Sequence, residues 1–223
     1  MNEAFTWSLV DEYIEDRLLP RDPALDEALD ANRQADLPPI DVSAAQGKLL
    51  QLLARMAGAK RILEIGTLGG YSTIWMARAL PEDGALVTLE LDPRHAAVAV
   101  ANAARAGLDR VVDVRVGPAL EQLEQLDAEG AAPFDLIFID ADKPNNPAYL
   151  TWALRFSRPG TVIVGDNVVR EGAVIERHST DPRVQGVRAF FDLLAQEPRI
   201  SATAIQTVGS KGYDGFMIGI VNG

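Results

Sequence analysis

Cysteine is absent from all 223 residues, which removes disulfides, zinc–thiolate sites, iron–sulfur clusters and cysteine nucleophiles. The absence suits a reducing cytoplasm. Histidine is scarce: His95 and His178 lie too far apart in sequence to form a histidine-rich site alone, so a bound metal must be held by oxygen. No run of 18 apolar residues occurs, and the opening MNEAFTWSLVDEY is acidic where a signal peptide is basic and then apolar. Basic clusters are missing as well. With 21 basic against 32 acidic residues the net charge is −11, whereas a nucleic-acid binder carries a basic face to neutralise phosphates. These absences predict a soluble, cytoplasmic chain, with no membrane or nucleic-acid partner, directed at a small molecule.

What is present is enough apolar residue, 48%, to bury a substantial core, and at this length one α/β domain is the default. Residues 1–58 read as a helical N-terminal extension. Phe5, Leu9 and Tyr13, with Val10, Ile14 and Leu18, recur at helical spacing and predict one apolar stripe. Pro20 ends that helix, and Asp22-Pro23 open a second. After Leu37-Pro38-Pro39, Asp41 or Ser43 caps a third helix through Met56. From residue 61 to 223 strands and helices alternate: RILEIG, a helix from Tyr71, ALVTLEL, a helix from Pro93, VVDVRVG, a helix from Pro118, FDLIFID, a helix over about 146–156, and TVIVGD. Five strands with helical crossovers imply a doubly wound parallel sheet. The tail differs, because ISATAIQTV and DGFMIGIV are joined only by residues 209–213 and must form an antiparallel hairpin.

Two of these strands break off into acid. FDLIFID ends at Asp140 and TVIVGDN at Asp166 and Asn167. Runs rich in Ile, Val and Phe suit strands buried on both faces, and their carboxyl ends are where open α/β sheets bind ligands. Two aspartates and an amide there offer the hard oxygen ligands that magnesium or calcium takes. Each alone also reads as a turn former or helix cap; jointly they favour a metal. Asp142 is assigned to the turn. Lys143 reads as a solvated loop lysine in isolation, but beside a divalent cation an ammonium gives up its proton more readily, the direction a general base needs.

The loop EIGTLGGYST, Glu64 to Thr73, follows the first strand. Its glycines permit a sharp turn and close approach of a ligand, and Ser72 near the helix start favours an anion. Neither GxGxxG nor a Gly-Lys-Ser/Thr phosphate loop is present, since residue 68 is Leu and residue 71 is Tyr. Glu64 repels a pyrophosphate and accepts from an ammonium or hydroxyl, while Glu90 ends the second strand, where an acid binds ribose. A nucleoside carrying an amino acid, S-adenosylmethionine, satisfies this pattern. An NAD-type fold with an altered loop, or a turn serving packing alone, remains open on these residues.

The motifs EIGTLGGYS, PEDGALVTLELD, GPAL, FDLIFIDADK, VIVGDN and VGSKGYDGF, in this order from about Val42 to the C-terminus, resemble the cation-dependent O-methyltransferases, the group of catechol and caffeoyl-CoA O-methyltransferases. The resemblance implies a class I S-adenosylmethionine-dependent methyltransferase fold, α/β and Rossmann-like, with seven strands, the last antiparallel and inserted. It implies Asp140, Asp166 and Asn167 as metal ligands, with magnesium first and manganese or calcium as alternatives, and Lys143 as catalytic base. It implies Glu64, Gly66, Thr67 and Ser72 at the methionine part of the cofactor, Glu90 at the ribose, Ala119 at the adenine, Val42 through its backbone, and Asp140 serving metal and cofactor alike. A phenolic, catechol-like acceptor and a homodimer are implied too. The chain departs from the family after GDN, where plant members carry a tryptophan-containing loop and this chain reads VVREGAV. Of Trp7, Tyr149, Trp152 and Tyr213, the second and third are assigned to helix packing and Tyr213 to the acceptor pocket. Competing readings are a metal-independent methyltransferase acting on another small molecule, RNA or protein, and a non-catalytic nucleoside-binding module.

Overall fold

The structure is a computed structural model that describes residues 3–223. Three helices come first, α1 (Glu3–Leu18), α2 (Pro23–Gln34) and α3 (Ala44–Met56). Asp22 caps α2 by accepting from the Ala24 amide at 3.1 Å. Ser43 caps α3, accepting from the Gln46 amide at 3.1 Å, while Asp41 accepts instead from the Asn32 side chain at 2.8 Å. The sequence left that cap open between Asp41 and Ser43. The stripe on α1 is real but faces outward: Phe5, Leu9, Val10, Tyr13, Ile14 and Leu18 are 36–71% exposed. Among the described residues α1 leans mainly on the first strand of the closing hairpin and on α3, and its stripe stays exposed.

The alternating region follows the predicted order: β1 (Arg61–Ile65), α4 (Tyr71–Ala77), β2 (Ala85–Glu90), α5 (Pro93–Arg105), β3 (Val112–Val116), α6 (Ala119–Ala128), β4 (Leu136–Ile139), α7 (Asn146–Arg155) and β5 (Val162–Asp166). One further helix, α8 (Pro182–Gln196), precedes the hairpin of β6 (Ile200–Gly209) and β7 (Gly212–Val221). The seven strands lie in the order β3-β2-β1-β4-β5-β7-β6. The first five are mutually parallel, and β7 inserts antiparallel between β5 and β6. Strand order reverses direction between β1 and β4, so a crevice opens at their carboxyl ends.

Both faces of the central strands are covered, as their uninterrupted apolar runs require. Successive side chains of a strand point to opposite faces: Ile62, Leu136 and Phe138 pack with Leu50 of α3 and Ile74 of α4, whereas Leu63, Ile65, Ile137 and Ile139 pack with Leu123 of α6, Leu150 of α7 and Phe190 of α8. Fully burying a side chain such as Phe190 contributes roughly 1.5–3 kcal/mol. The hairpin loop is shorter than the sequence suggested. Pairing runs to Gly209 opposite Gly212, with Tyr213 opposite Val208. Tyr213 is therefore a strand residue whose hydroxyl meets Gln206, and it does not line the cleft, which corrects its assignment to the acceptor pocket.

α8 is seated against the turn after β4 through a glycine. A Cβ at Gly186 would lie 2.1 Å from the Lys143 carbonyl oxygen, closer than any atoms tolerate. Gly186→Ala must push the helix off that turn. The expected cost is about 1–3 kcal/mol, read as a fall in Tm of roughly 2–12 °C; an unchanged melting curve would contradict this packing.

Candidate functional site

A cleft of about 930 Å³ lies along the carboxyl ends of β1, β2, β4 and β5. The strand ends and the loops beyond them bring Val42, Gly66, Thr67, Ser72, Glu90, Ala119, Asp140, Lys143, Asp166 and Asn167 to its walls. Glu64 alone of the sequence candidates is withheld. It is fully buried beneath the glycine loop, with Ser72 Oγ donating to its Oε1 at 2.5 Å and Thr73 Oγ1 to its Oε2. Glu64 thus reaches the cleft through the Ser72 hydroxyl, and that hydroxyl is not free for an anion. Burial raises the Glu64 carboxyl to about 7, against the pull of its hydroxyl partners.

The loop itself is shaped by close approach and by carboxylates. Gly66 has φ +104°, and a Cβ there would lie 2.3 Å from the Asp140 carbonyl oxygen, so only glycine lets β1 and β4 end side by side. Glu90 Oε2 accepts from the backbone N–H of Leu68 at 2.7 Å and of Thr67 at 3.3 Å, and its Oε1 from that of Asp92 at 3.0 Å. One acid therefore fixes the loop and still presents lone pairs to the cleft. Behind the loop, Asn102 of α5 donates to the Gly69 carbonyl at 2.7 Å and to Asn32 Oδ1 of α2 at 3.1 Å. Asn32 and Asn102 escaped the sequence reading, although an asparagine amid the alanines of α5's buried face, Ala96, Ala99 and Ala103, is a readable signal.

At the other end of the cleft the two acids meet. Lys143 opens a 3₁₀ turn, Lys143–Asn145, is buried, and donates from Nζ to Asp140 Oδ1 at 2.8 Å. Asp166 is the last residue of β5 and is buried. Desolvation first, and then the nearby Asp140 carboxylate, hold its carboxyl well above the ordinary range; Lys143, the Asn167 N–H and Gln46 oppose this. Gln46, from α3, donates to Asp166 Oδ2 at 2.7 Å, a contact across 120 positions that nothing in the local sequence signals. Asp142 does hold the turn, accepting from the Tyr149 hydroxyl at 2.5 Å and the Asn145 side chain at 2.6 Å. Tyr149 is both a core residue and a wall of the cleft, and Trp152 packs on Phe156 at 5.4 Å between ring centroids.

Asn167 has φ +53°, an unusual conformation for a non-glycine residue, and lies on the cleft wall beside Asp166. Among the described residues no three of His, Cys, Asp and Glu converge, so a cation would need the Asn167 amide as its third protein ligand. Two closely placed carboxylates, one of them desolvated, and an amide oxygen form a hard donor set that suits such an ion.

Comparison with known proteins adds four findings. The family model described as O-methyltransferase matches residues 19–215. A catechol O-methyltransferase from Niastella koreensis is 56% identical over 212 residues, covering 95% of this chain and 96% of its own. Among solved structures, an O-methyltransferase from Bacillus cereus in complex with SAH superposes with a TM-score of 0.97 at 60% identity, covering 98% of this chain and 100% of that one. The O-methyltransferase TomG from Streptomyces achromogenes, in complex with SAM, gives 0.97 at 53% identity and full coverage of both chains, 100% each.

The buried Glu64 generates a test of its own. A carboxyl raised in the folded state contributes stability below its unfolded value of about 4.3 and loses it as pH rises through the folded value, here about 7. Glu64→Gln keeps the shape and removes the charge. Between about pH 5 and about pH 8 the Tm of the ligand-free variant should therefore gain on that of the wild type, by on the order of 5 °C. Parallel Tm–pH curves would return Glu64 to the ordinary carboxylate range.

Proposed function

This chain belongs to the O-methyltransferase family, and from that membership we propose that it methylates one hydroxyl of a small catechol-like acceptor, with S-adenosylmethionine as donor and a divalent cation, magnesium first, as cofactor. The observation that carries the reading is the meeting of Asp140, Asp166, Asn167 and Lys143 in the same cleft as the glycine loop and Glu90. The catechol O-methyltransferase from Niastella koreensis and the SAH and SAM complexes from Bacillus cereus and Streptomyces achromogenes support the acceptor class and the donor.

Asp140, Asp166 and Asn167 would hold the cation, which when bound supplies Lewis acidity that lowers the pKa of a coordinated hydroxyl. S-adenosylmethionine supplies the methyl group from its sulfonium. Gly66, Thr67 and Ser72 with Glu64 behind them bind the methionine part, Glu90 the ribose, Ala119 the adenine and Val42 the donor through its backbone; Asp140 serves donor and cation together. Lys143 Nζ, once it has given up its own proton to solvent, would take the proton from the acceptor hydroxyl as the neutral amine, kept in position by Asp140 at 2.8 Å and by the turn that Asp142 and Tyr149 secure. The cleft walls would align the acceptor oxygen with the sulfonium methyl, so that a C–O bond forms as the C–S bond breaks and S-adenosylhomocysteine leaves; such positioning is where much of the acceleration arises.

In the same reading residues 1–223 act as a single catalytic domain, in the cytoplasm. No helix among the described residues is long and apolar enough to cross a membrane. The protein is a homodimer, for which the exposed stripe of α1 and the outer face of β6, including Ile205 and Val208, offer apolar surface.

Two measurements test the proposal. Chelation with EDTA should abolish methylation of a catechol and magnesium should restore it, so full turnover in EDTA would remove the cation. Lys143→Ala should lower kcat by about 10²–10⁴-fold with little change in donor affinity; wild-type turnover in this variant would remove the base.

A further inference from the structure

We infer that Arg170 recognises a negative charge on the acceptor, so the molecules this enzyme prefers are catechols that carry a carboxylate. The inference deepens the function proposed above and rests on it. Arg170 lines the same cleft as Asn167 and follows it by three residues, a chain distance of at most about 11 Å, comparable to one aromatic ring with a short side chain. No tryptophan lines the cleft among the described residues. Where the plant-type loop would carry an aromatic wall, this loop presents a guanidinium.

The loop is built to hold it there. The backbone N–H groups of Val169 and Arg170 both donate to Asp214 Oδ1 at 2.9 Å. Arg170 and Glu171 sit at φ +56° and +55°, a left-handed conformation that non-glycine residues keep only where surrounding contacts impose it. The guanidinium that results is under-used. Its Nη1 lies 3.7 Å from Asp214 Oδ2, beyond hydrogen-bond reach, and its Nε is buried without a partner. The side chain is only 24% exposed, so solvent does not serve all of its five donors.

The other charges of the cleft are committed or solvated, His95 among them with Nδ1 3.5 Å from Glu90 Oε1. Lys143 holds Asp140 at 2.8 Å, Arg183 forks onto Asp181 at 2.6 Å, and Lys211 lies 3.5 Å from the Pro39 carbonyl oxygen. Asp181, which feels Arg170 electrostatically, is taken up by that Arg183 pair. Asp41 accepts from Asn32 and Asp142 from Tyr149, while Glu171 is exposed to solvent. Arg170 is thus a partly desolvated cation of the cleft whose ion pair with Asp214, at 3.7 Å, is too long for a hydrogen bond and leaves its terminal N–H groups for a ligand. A planar fork of this kind matches a carboxylate with two parallel hydrogen bonds.

The test compares kcat/KM for 3,4-dihydroxybenzoate, 4-methylcatechol and dopamine in the wild type, R170M and R170K, with magnesium and S-adenosylmethionine present. Calorimetry of 3,4-dihydroxybenzoate binding in the presence of S-adenosylhomocysteine gives a second readout that needs no turnover. The wild type should favour the acid over both others by about 10–100-fold. R170M should lose that ratio through KM rather than kcat and weaken acid binding to a similar degree, and R170K should keep part of both. Ratios taken on one preparation are insensitive to a partly unfolded variant. Equal kcat/KM for acid and neutral catechol in the wild type, or an equal loss on both in R170M, would overturn the inference. A preference for dopamine would overturn it and assign recognition to Glu171. Methylation of none of the three would overturn the catechol reading itself and this inference with it, whereas good turnover of 4-methylcatechol without an acid preference would sink only the latter.

Discussion

Asp140 and Asp166 are neighbours because β4 and β5 pair in parallel with Ile139 opposite Gly165; the next residue on each strand is an aspartate. That register is fixed by side chains buried on both faces, and a slip of one residue would turn every one of them to the wrong face. The core therefore forces together two like charges that would separate if free. Everything nearby answers this repulsion: the Lys143 ammonium on Asp140, the Gln46 amide on Asp166 and the Asn167 N–H on Asp166. In a low-dielectric setting such a pair is most favourable with a positive charge beside it, a position that here arises from packing rather than from surface loops.

The same logic explains how the helical extension joins the chemistry. α3 contributes Gln46 to Asp166, and α2 contributes Asn32 to a chain of amides that runs through Asn102 to the Gly69 carbonyl. A buried amide is costly unless its donors and acceptors are met, so these groups lock the extension to the glycine loop in one arrangement. The extension is structurally continuous with the cleft it helps to wall, through Pro38, Pro39 and Val42.

Much of this was legible in the sequence, for identifiable reasons. Apolar runs of four to six residues ending in acid suit buried strands delivering carboxylates to an edge, and Glu90, Asp140 and Asp166, with Asn167 and Lys143 close behind, do line the cleft. Helix caps such as Asp22 followed from local chemistry. What depends on distant partners was less legible. Glu64 lies under the loop, where Ser72 and Thr73 close over it. Tyr213 became a strand residue because pairing continued to the hairpin tip. Gln46 acquired its role from a strand 120 positions away, and the stripe on α1, correctly periodic, gave no indication of whether anything covers it. α8 was passed over although Asp181-Pro182 caps it, because its apolar positions are interrupted by Gly186 and Arg188.

The insertion of β7 between β5 and β6 has a consequence for how the molecule comes into being. β5 ends at Asp166 and its partner begins at Gly212, so the strand that carries a cleft aspartate is completed only by a segment made much later. During synthesis β1 to β5 can assemble in chain order, with one edge of β5 left open. An unpaired apolar edge invites pairing with other chains, and non-local strand contacts are slow to form. The strand on which the cleft depends is thus the one most exposed to misassembly in the nascent chain, and the closing hairpin protects it last.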